Sequence, residues 1–148
     1  MAKKVKSKRK KNHPDRYRHV VLRLWGKNLD PDKITKALDI APTSSWKRGN
    51  IIGKSGKKYW NPYGQWNLEP RTRGNARFET QIKDVLDQIK SKKKVLRRVL
   101  KYAKADLKIG VQPHENLAVW GYGFAAGLLN EFTSLGIDIC FSVWLIDI

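Results

Sequence analysis

Residues 57–73 hold the densest mixture of aromatic and cationic side chains in the chain. Its aromatic members include Trp60, Tyr63 and Trp66, and its cations are Lys57, Lys58, Arg71 and Arg73. Aromatic rings stack on nucleobases and cations pair with phosphates, so this composition suits a surface for single-stranded nucleic acid. On one strand, Trp60 and Trp66 would have the same parity and line one face. A packed edge strand with a basic rim would have the same composition, and both interpretations stay open.

A second candidate is the loop Trp46–Gly49, in which one aromatic ring precedes two cations, Lys47 and Arg48. A ring beside two positive charges could hold a base and a phosphate. For Trp46 we favour the alternative, a core position under a long loop, with Gly49 serving a turn. Lys47 and Arg48 are expected on the surface under either interpretation.

Cations also gather in residues 90–104, a stretch that contains no acid. We expect this stretch to be helical, with Lys92, Lys93, Lys94, Arg97, Arg98, Lys101 and Lys104 on its outer face. Such a stripe could follow a phosphate backbone. A run of charge on a helix is more often only a solvated face, but the absence of interspersed acids keeps the binding interpretation open.

The net charge of +18 is unevenly distributed. Residues 1–18 carry nine Lys/Arg and one acid, whereas residues 109–148 carry no Lys/Arg and four acids. The first 18 residues have almost no apolar side chains, so we expect a disordered basic tail. Attraction to a polyanion is its expected role. The anchoring residues would be Lys3, Lys4, Lys6, Lys8, Arg9, Lys10 and Lys11.

Catalysis finds little support in the sequence. The histidines are in the tail (His13), at the domain edge (His19) and in a turn (His114), and His114–Glu115 lacks metal-ligand spacing. The spacing of the glycines in Gly121–Gly127 departs from the dinucleotide-binding fingerprint. We therefore expect no enzymatic activity, no cofactor and no bound metal.

The sequence also predicts a cytoplasmic protein without a membrane partner. The longest uncharged run, from Leu117 up to Glu131, is shorter than the roughly 20 apolar residues of a spanning helix and contains three glycines. No apolar stretch follows the basic N-terminus, so no signal peptide is expected. The single cysteine, Cys140, excludes an intrachain disulfide and is expected in the core.

These candidate sites need elements to position them. Alternating apolar residues from Val20 to Leu24 predict a first strand. Asp30 and Pro31 predict the start of a helix that ends before Pro42. Its expected inner face is Ile34, Ala37 and Leu38.

Residues 41–64 are rich in Gly and Pro and read as loops, with a short extended piece at Tyr59–Trp60. Tyr63–Leu68 is expected to be a strand with Trp66 and Leu68 facing the same way. A long helical segment follows, starting near Asn75, and we expect a break near Ser91–Lys93, where lysine interrupts the apolar face.

The C-terminal part predicts a strand at 107–111, a hairpin partner at 117–122, a helix at 124–135 ending at Gly136, and a final, well-buried strand from Ile137. The resulting order is β-α-β-(α-α)-β-β-α-β. It indicates one α+β domain over residues 19–148, with helices on one face of a mostly antiparallel sheet.

The segment from Leu22 to Gly49 carries the pattern I-x-P-T-x-x-W-x-x-G, and a W-x-L strand follows it. The matching residues are Asp30, Pro31, Ile40, Pro42, Thr43, Trp46, Gly49, Trp66 and Leu68. This pattern resembles the bacterial domain-of-unknown-function family DUF4279, over about residues 19–148. The resemblance implies the fold described above. It brings no activity and no catalytic residues, and the basic tail lies outside the family pattern.

The main hypothesis is a non-enzymatic binding protein associated with nucleic acid or ribonucleoprotein. The first alternative is a protein-interaction module of the toxin-neutralising (immunity) type, whose partner would be acidic because this chain is basic. The second alternative is an enzyme whose site assembles in space from His114, Glu115 or Asp138. The oligomeric state stays open.

Overall fold

The computed structural model describes residues 17–52, 55–72, 76–112 and 126–143. The strands in these ranges are β1 (Tyr17–Gly26), β2 (Ser44–Trp46), β3 (Gly49–Ile52), β4 (Lys58–Asn61), β5 (Gly64–Leu68), β6 (Lys104–Gln112) and β7 (Asp138–Val143). The helices are α1 (Pro31–Leu38), α2 (Phe78–Ile89), α3 (Lys93–Val99) and α4 (Ala126–Thr133). A short 3-10 turn, Lys90–Lys92, joins α2 to α3.

Five of these strands form one sheet in the order β2-β5-β1-β6-β7, and β3 pairs only with β4 in a separate two-stranded ribbon. β1 is central and antiparallel to both β5 and β6, and β2 is antiparallel to β5. Only β7 runs parallel to its neighbour, β6, among the strands described. The predicted α+β fold with a mostly antiparallel sheet is therefore confirmed.

The main core lies on one face of this sheet, and alternate residues of the central strands point into it. Val20, Leu22 and Leu24 are fully buried, and their alternation places all three on the same face of β1. All four helices contribute to the hydrophobic cluster that contains these side chains, through Ile34, Ile82, Leu96 and Phe132, respectively. The helices therefore cover a single face of the sheet, as the sequence predicted.

α1 begins and ends where the sequence indicated. The side chain of Asp30 accepts a hydrogen bond from the Asp32 amide at 3.0 Å, and Pro31 occupies the first turn. Asp39 ends the helix in the left-handed conformation, with φ of 53°. Ile34 is buried as expected, but Ala37 is exposed, so the inner face is narrower than predicted.

The helical segment after β5 breaks at the predicted place. The inner face of α2 is formed by buried side chains, which include Phe78, Ile82 and Val85. The 3-10 turn follows Ile89. The lysines of that turn interrupt the apolar stripe, which resumes in α3 at Leu96. No helix in the described part of the chain combines the length and apolar character needed to cross a membrane.

Residues 41–64 hold more regular structure than the predicted loops. β2 pairs with the edge of β5, and β3 pairs with β4, which extends the predicted piece at Tyr59–Trp60. These strands span only three or four residues each and lack a long apolar alternation. The periodicity that marks a half-buried strand is therefore absent from their sequence.

The final strand was predicted to be well buried, and this is wrong. Ile137 is buried, but Ile139 and Cys140 are only half-buried and Phe141 is 59% exposed. β7 is the last strand of the sheet within the described ranges, so it has one strand neighbour there instead of two. Gly136 precedes it with φ of +83°, which fits its predicted role in ending α4. The predicted strand at 117–122 lies outside the described residues.

Candidate nucleic-acid interface

The β3–β4 ribbon is built from the chain that links β2 to β5. Gly49 pairs with Asn61 and Ile52 with Lys58, so the ribbon is antiparallel. Gly49 has φ of +127°, a conformation that side chains other than glycine rarely adopt, and it turns the chain out of β2. Within the described ranges, neither ribbon strand packs extensively on a helix or on the five-stranded sheet.

Large aromatic side chains are exposed on this ribbon and in the turn that follows it. Trp60 is 61% exposed, Tyr59 52% and Tyr63 49%. Buried packing was the alternative interpretation for this segment, and for Trp60 and Tyr63 it is wrong. No helix of the described ranges packs extensively on this ribbon, which accords with the accessibility of the rings.

Cations lie next to the most exposed ring. The Arg48 guanidinium carbon is 5.8 Å from the centroid of the Trp60 ring, which is within cation–π distance. The ribbon register places Lys58 on the same face as Trp60, two residues along the strand. Lys57 and Lys58 are exposed, and no carboxylate of the described residues pairs with either of them or with Arg48. Positive charge therefore flanks the ring.

Lys47 belongs to a different environment, although the sequence grouped it with Arg48. Its Nζ lies 2.8 Å from Asp32 Oδ2 and 3.9 Å from Asp30 Oδ1. The hydrogen bond to Asp32 and the charges of both carboxylates raise the pKa of Lys47. These acids begin α1, so the lysine joins the end of β2 to that helix. Lys47 is exposed, as the sequence predicted, but its charge is shared with two carboxylates.

Trp66 does not lie on the candidate surface. Its side chain is fully buried, and its indole N–H donates to Thr35 Oγ1 at 3.1 Å. Trp60 lies on β4 of the ribbon and Trp66 on β5 of the main sheet, so the predicted shared face does not exist. Trp46 is half-buried on β2, opposite Gln65, and is neither a core plug nor a fully exposed platform.

A second cationic surface lies on α3 and the turn after it. Lys94, Arg97, Arg98 and Lys101 follow the i, i+3, i+4, i+7 spacing of one helix face, and all four are exposed. None of them pairs with a carboxylate of the described residues. Lys93, by contrast, contacts Glu131 Oε2 at 2.8 Å. We call these four exposed cations the α3 stripe.

The sheet face opposite the helices carries a polar network that the sequence did not single out. Arg23 binds Asp106 through two hydrogen bonds, with 2.7 Å between Nε and Oδ1. Asp106 is only 6% exposed, and its hydrogen bond raises the pKa of Arg23. On β5, Asn67 Nδ2 donates to Ser44 Oγ at 3.0 Å. The available signal in the sequence was an acidic residue, Asp106, between the apolar residues Ala105 and Leu107. An acid at such a position needs a partner on a neighbouring strand.

Among the described residues, no group of three or more His, Cys, Asp or Glu side chains is placed to hold a metal ion. His19 Nε2 lies 2.9 Å from Glu69 Oε1, in a pair that joins β1 to the end of β5. A shallow depression of about 580 Å³ lies between Arg71 and the outer side of α2, and it is open to solvent. His114 and Glu115, which the enzyme hypothesis required, lie outside the described residues.

Comparison with known proteins identifies the family. Over residues 15–145 the chain matches the family described as Domain of unknown function (DUF4279). The chain belongs to this family. The match spans every element described above, from β1 to β7. No curated protein and no solved structure matches the chain.

In this DUF4279 domain, the residues that carried the resemblance sit at structural junctions. Thr43 Oγ1 accepts a hydrogen bond from the Glu69 amide at 2.9 Å, and the Thr43 amide donates to the Asn67 carbonyl at 2.8 Å. These bonds, together with the Asp30 cap and the turn at Gly49, fix where the ribbon leaves the main sheet.

The DUF4279 match begins at residue 15. The predicted tail residues Lys3, Lys4, Lys6, Lys8, Arg9, Lys10 and Lys11 precede it and lie outside the described residues, as does Arg73. β1 begins at Tyr17, two residues before the domain boundary that the sequence suggested. The candidate interface therefore consists of the ribbon and the α3 stripe.

Proposed function

We propose that this DUF4279 protein binds nucleic acid and that the β3–β4 ribbon is its binding surface. The observation that carries the proposal is the exposed Trp60 ring with the Arg48 guanidinium beside it. Stacking of one base on an aromatic ring contributes about 1–3 kcal/mol, and an adjacent cation adds attraction to the phosphate.

The charge around the ring supports the same function. Residues 40–68 contain five Lys/Arg and no acid, so nothing in the sequence of the ribbon repels a phosphate. Neutralising a phosphate releases counterions from the nucleic acid, and binding therefore weakens as salt rises. Arg48, Lys57 and Lys58 are the ribbon residues proposed to make these contacts, and Trp60 is proposed to stack.

The test measures binding of the full chain to oligouridylate, by fluorescence anisotropy over a series of salt concentrations. We expect Trp60→Ala to weaken binding by about 5- to 150-fold, the equivalent of removing one base stack. Trp60→Phe keeps an aromatic ring and is expected to retain most of the affinity. Unchanged affinity in Trp60→Ala would refute the ribbon as the binding surface.

Two lysine variants, one in the ribbon and one outside it, provide the matched control for charge removal. Lys58→Ala is expected to reduce the magnitude of the log–log salt slope by about 0.7, the contribution of one contact to a single strand. Lys83 is an exposed lysine on α2, away from the ribbon in sequence. Lys83→Ala removes the same charge and is expected to leave the slope unchanged. Equal effects of the two variants would indicate attraction by net charge alone.

One observation also favours an acidic protein as the partner. Trp, Tyr and Arg dominate the energetics of protein interfaces, and the ribbon exposes all three types. Such a partner fits the toxin-neutralising type of interaction module. It would be the better proposal if oligouridylate fails to bind the full chain at low salt. A hydrophobic protein interface would also depend less on salt than the phosphate contacts proposed above.

A further inference from the structure

The end of the main sheet brings the ribbon and the α3 stripe together. Gly26, the last residue of β1, is opposite Gly64 in the register, which leaves Tyr63 just beyond the sheet. On the other side of β1, a Cβ built on Gly26 would lie 3.5 Å from the Tyr102 carbonyl oxygen. Tyr63 and Tyr102 therefore lie on either side of the end of β1.

Both tyrosines are accessible. Tyr63 is 49% exposed and Tyr102 is 62% exposed. Neighbouring strands are about 4.8 Å apart, so two chain segments on either side of β1 are separated by about 10 Å. This spacing is larger than the roughly 3.4 Å between successive stacked bases of a duplex strand. A nucleic-acid strand that reaches both tyrosine rings must be extended, with its bases unstacked from each other.

Positive charge surrounds the two rings. Lys27 follows the end of β1, Lys101 precedes Tyr102, and Lys104 begins β6. All three lysines are exposed, and none pairs with a carboxylate of the described residues. The nearby acids Asp30 and Asp32 at the start of α1 are already occupied by Lys47. The sheet end therefore combines stacking surfaces with unneutralised cations.

The sheet end is continuous with both surfaces described above. Tyr63 is in the turn that joins β4 of the ribbon to β5, close in sequence to Trp60. Lys101 is the last member of the α3 stripe and directly precedes Tyr102. Trp60 is three residues before Tyr63 and Arg98 is four residues before Tyr102, so the two sides of the sheet end adjoin the ribbon and the α3 stripe.

We infer that the ribbon, the sheet end and the α3 stripe form one continuous site for an extended, single-stranded nucleic acid, with Tyr63 and Tyr102 as stacking residues. The inference rests on the proposed function, because it extends the ribbon surface. Single strands suit the site because their bases have free faces for stacking, whereas the bases of a duplex are stacked on each other. The α3 stripe contacts the phosphates at the far end.

The test compares two oligouridylates, of about 4 and about 12 nucleotides, with the full chain and its variants. The short strand can occupy the ribbon alone, and the longer one can also reach Tyr102. We expect Tyr102→Ala to weaken binding of the longer strand by about 5- to 150-fold and to leave the shorter strand unaffected. Trp60→Ala should weaken both. Tyr102→Phe keeps the ring and is the matched control, expected to bind as the parent does.

The outcomes separate the inference from the proposed function. If Trp60→Ala weakens both strands and Tyr102→Ala weakens neither, the ribbon binds nucleic acid and the continuous site is wrong. If Trp60→Ala has no effect on either strand, the proposed function itself fails. A duplex of about 12 base pairs should compete poorly. Equal affinity for that duplex, with the same loss in Tyr102→Ala, would overturn the preference for single strands.

Discussion

Gly64 illustrates how one residue fixes the geometry of the sheet end. Its position on β5 places it directly against the backbone that leaves β1, and a Cβ built there would be 2.0 Å from the Leu29 carbonyl oxygen. Leu29 is itself 4% exposed and part of the core. Neither backbone segment can move without disturbing strand pairing or the core, so this position requires glycine.

We predict that Gly64→Ala lowers the free energy of unfolding by about 1–3 kcal/mol, because the added methyl group overpacks a backbone contact. Urea denaturation followed by circular dichroism measures the change. Gly127→Ala is the matched control: Gly127 is exposed in α4 and nothing lies within 4 Å of its added Cβ. Alanine favours helix, so that variant should be unchanged or more stable by up to about 1 kcal/mol. A loss of similar size in both variants would contradict the steric explanation.

At the scale of elements, α1 supports the junction from which the ribbon departs. The helix is only eight residues long, so its ends contribute a large share of its stability. Asp30 satisfies an amide at the start, and Asp39 adopts a left-handed conformation at the end. The Asp30 cap stabilises the helix. The left-handed conformation of Asp39 opposes helix formation, since an L-residue is strained in that conformation.

We predict opposite effects of substitutions at the two ends of α1. Asp30→Ala should lower the free energy of unfolding by about 1 kcal/mol through loss of the cap. Asp39→Gly should raise it by up to about 1 kcal/mol, because glycine adopts positive φ without strain. Thermal unfolding of the two variants measures both changes. Destabilisation by Asp39→Gly would show that the aspartate side chain has a role beyond the turn.

The elements that were predicted correctly from the sequence are those in which apolar residues recur regularly over a long stretch. Val20 to Leu24 alternate in β1, and Phe78 to Ile89 recur at helical spacing in α2, so burial left a clear signal. β2, β3 and β4 are short, and the described side chains of β2 and β4 are exposed or half-buried. Their pairing is determined by backbone hydrogen bonds and by Gly49, which hydrophobic periodicity does not report.

The candidate site was predictable in composition, but one of its proposed stacking residues, Trp66, is buried. The parity argument placed Trp60 beside Trp66 because it assumed one unbroken strand. The turn between β4 and β5 separates the two residues into different sheets. The ion pair between Lys47 and Asp32 was not predicted, because the two residues are distant in sequence and come together only in the folded chain. Contacts of this kind depend on tertiary structure.

For the whole molecule, charge is the dominant property. The chain has 31 Lys/Arg against 13 acids, and the described ion pairs neutralise few of these cations. We therefore expect any long-range attraction to a polyanion to come from the entire surface and tail, whereas the proposed stacking is local to the ribbon and the sheet end. These two contributions respond differently to salt and to mutation.

We predict that replacing the seven tail cations from Lys3 to Lys11 by Gln, in the full chain, reduces the salt dependence of oligouridylate binding. The log–log slope should fall in magnitude by about 0.7 for each phosphate that the tail no longer neutralises. Quenching of tryptophan fluorescence at saturation should stay the same, because the tail contains no tryptophan. An unchanged slope would indicate that the tail does not touch the strand.

The central position of β1 has a consequence for synthesis of the protein. β1 is made first, yet its partner β6 is made much later, as the 83-residue separation of Arg23 and Asp106 shows. Strand pairing over such distances is slow, on a scale of about milliseconds to seconds. The apolar strand Val20–Leu24 therefore emerges from the ribosome long before it can pair with β6. We expect the positive charge just ahead of it to make neighbouring nascent chains repel one another, which would limit aggregation until the sheet closes.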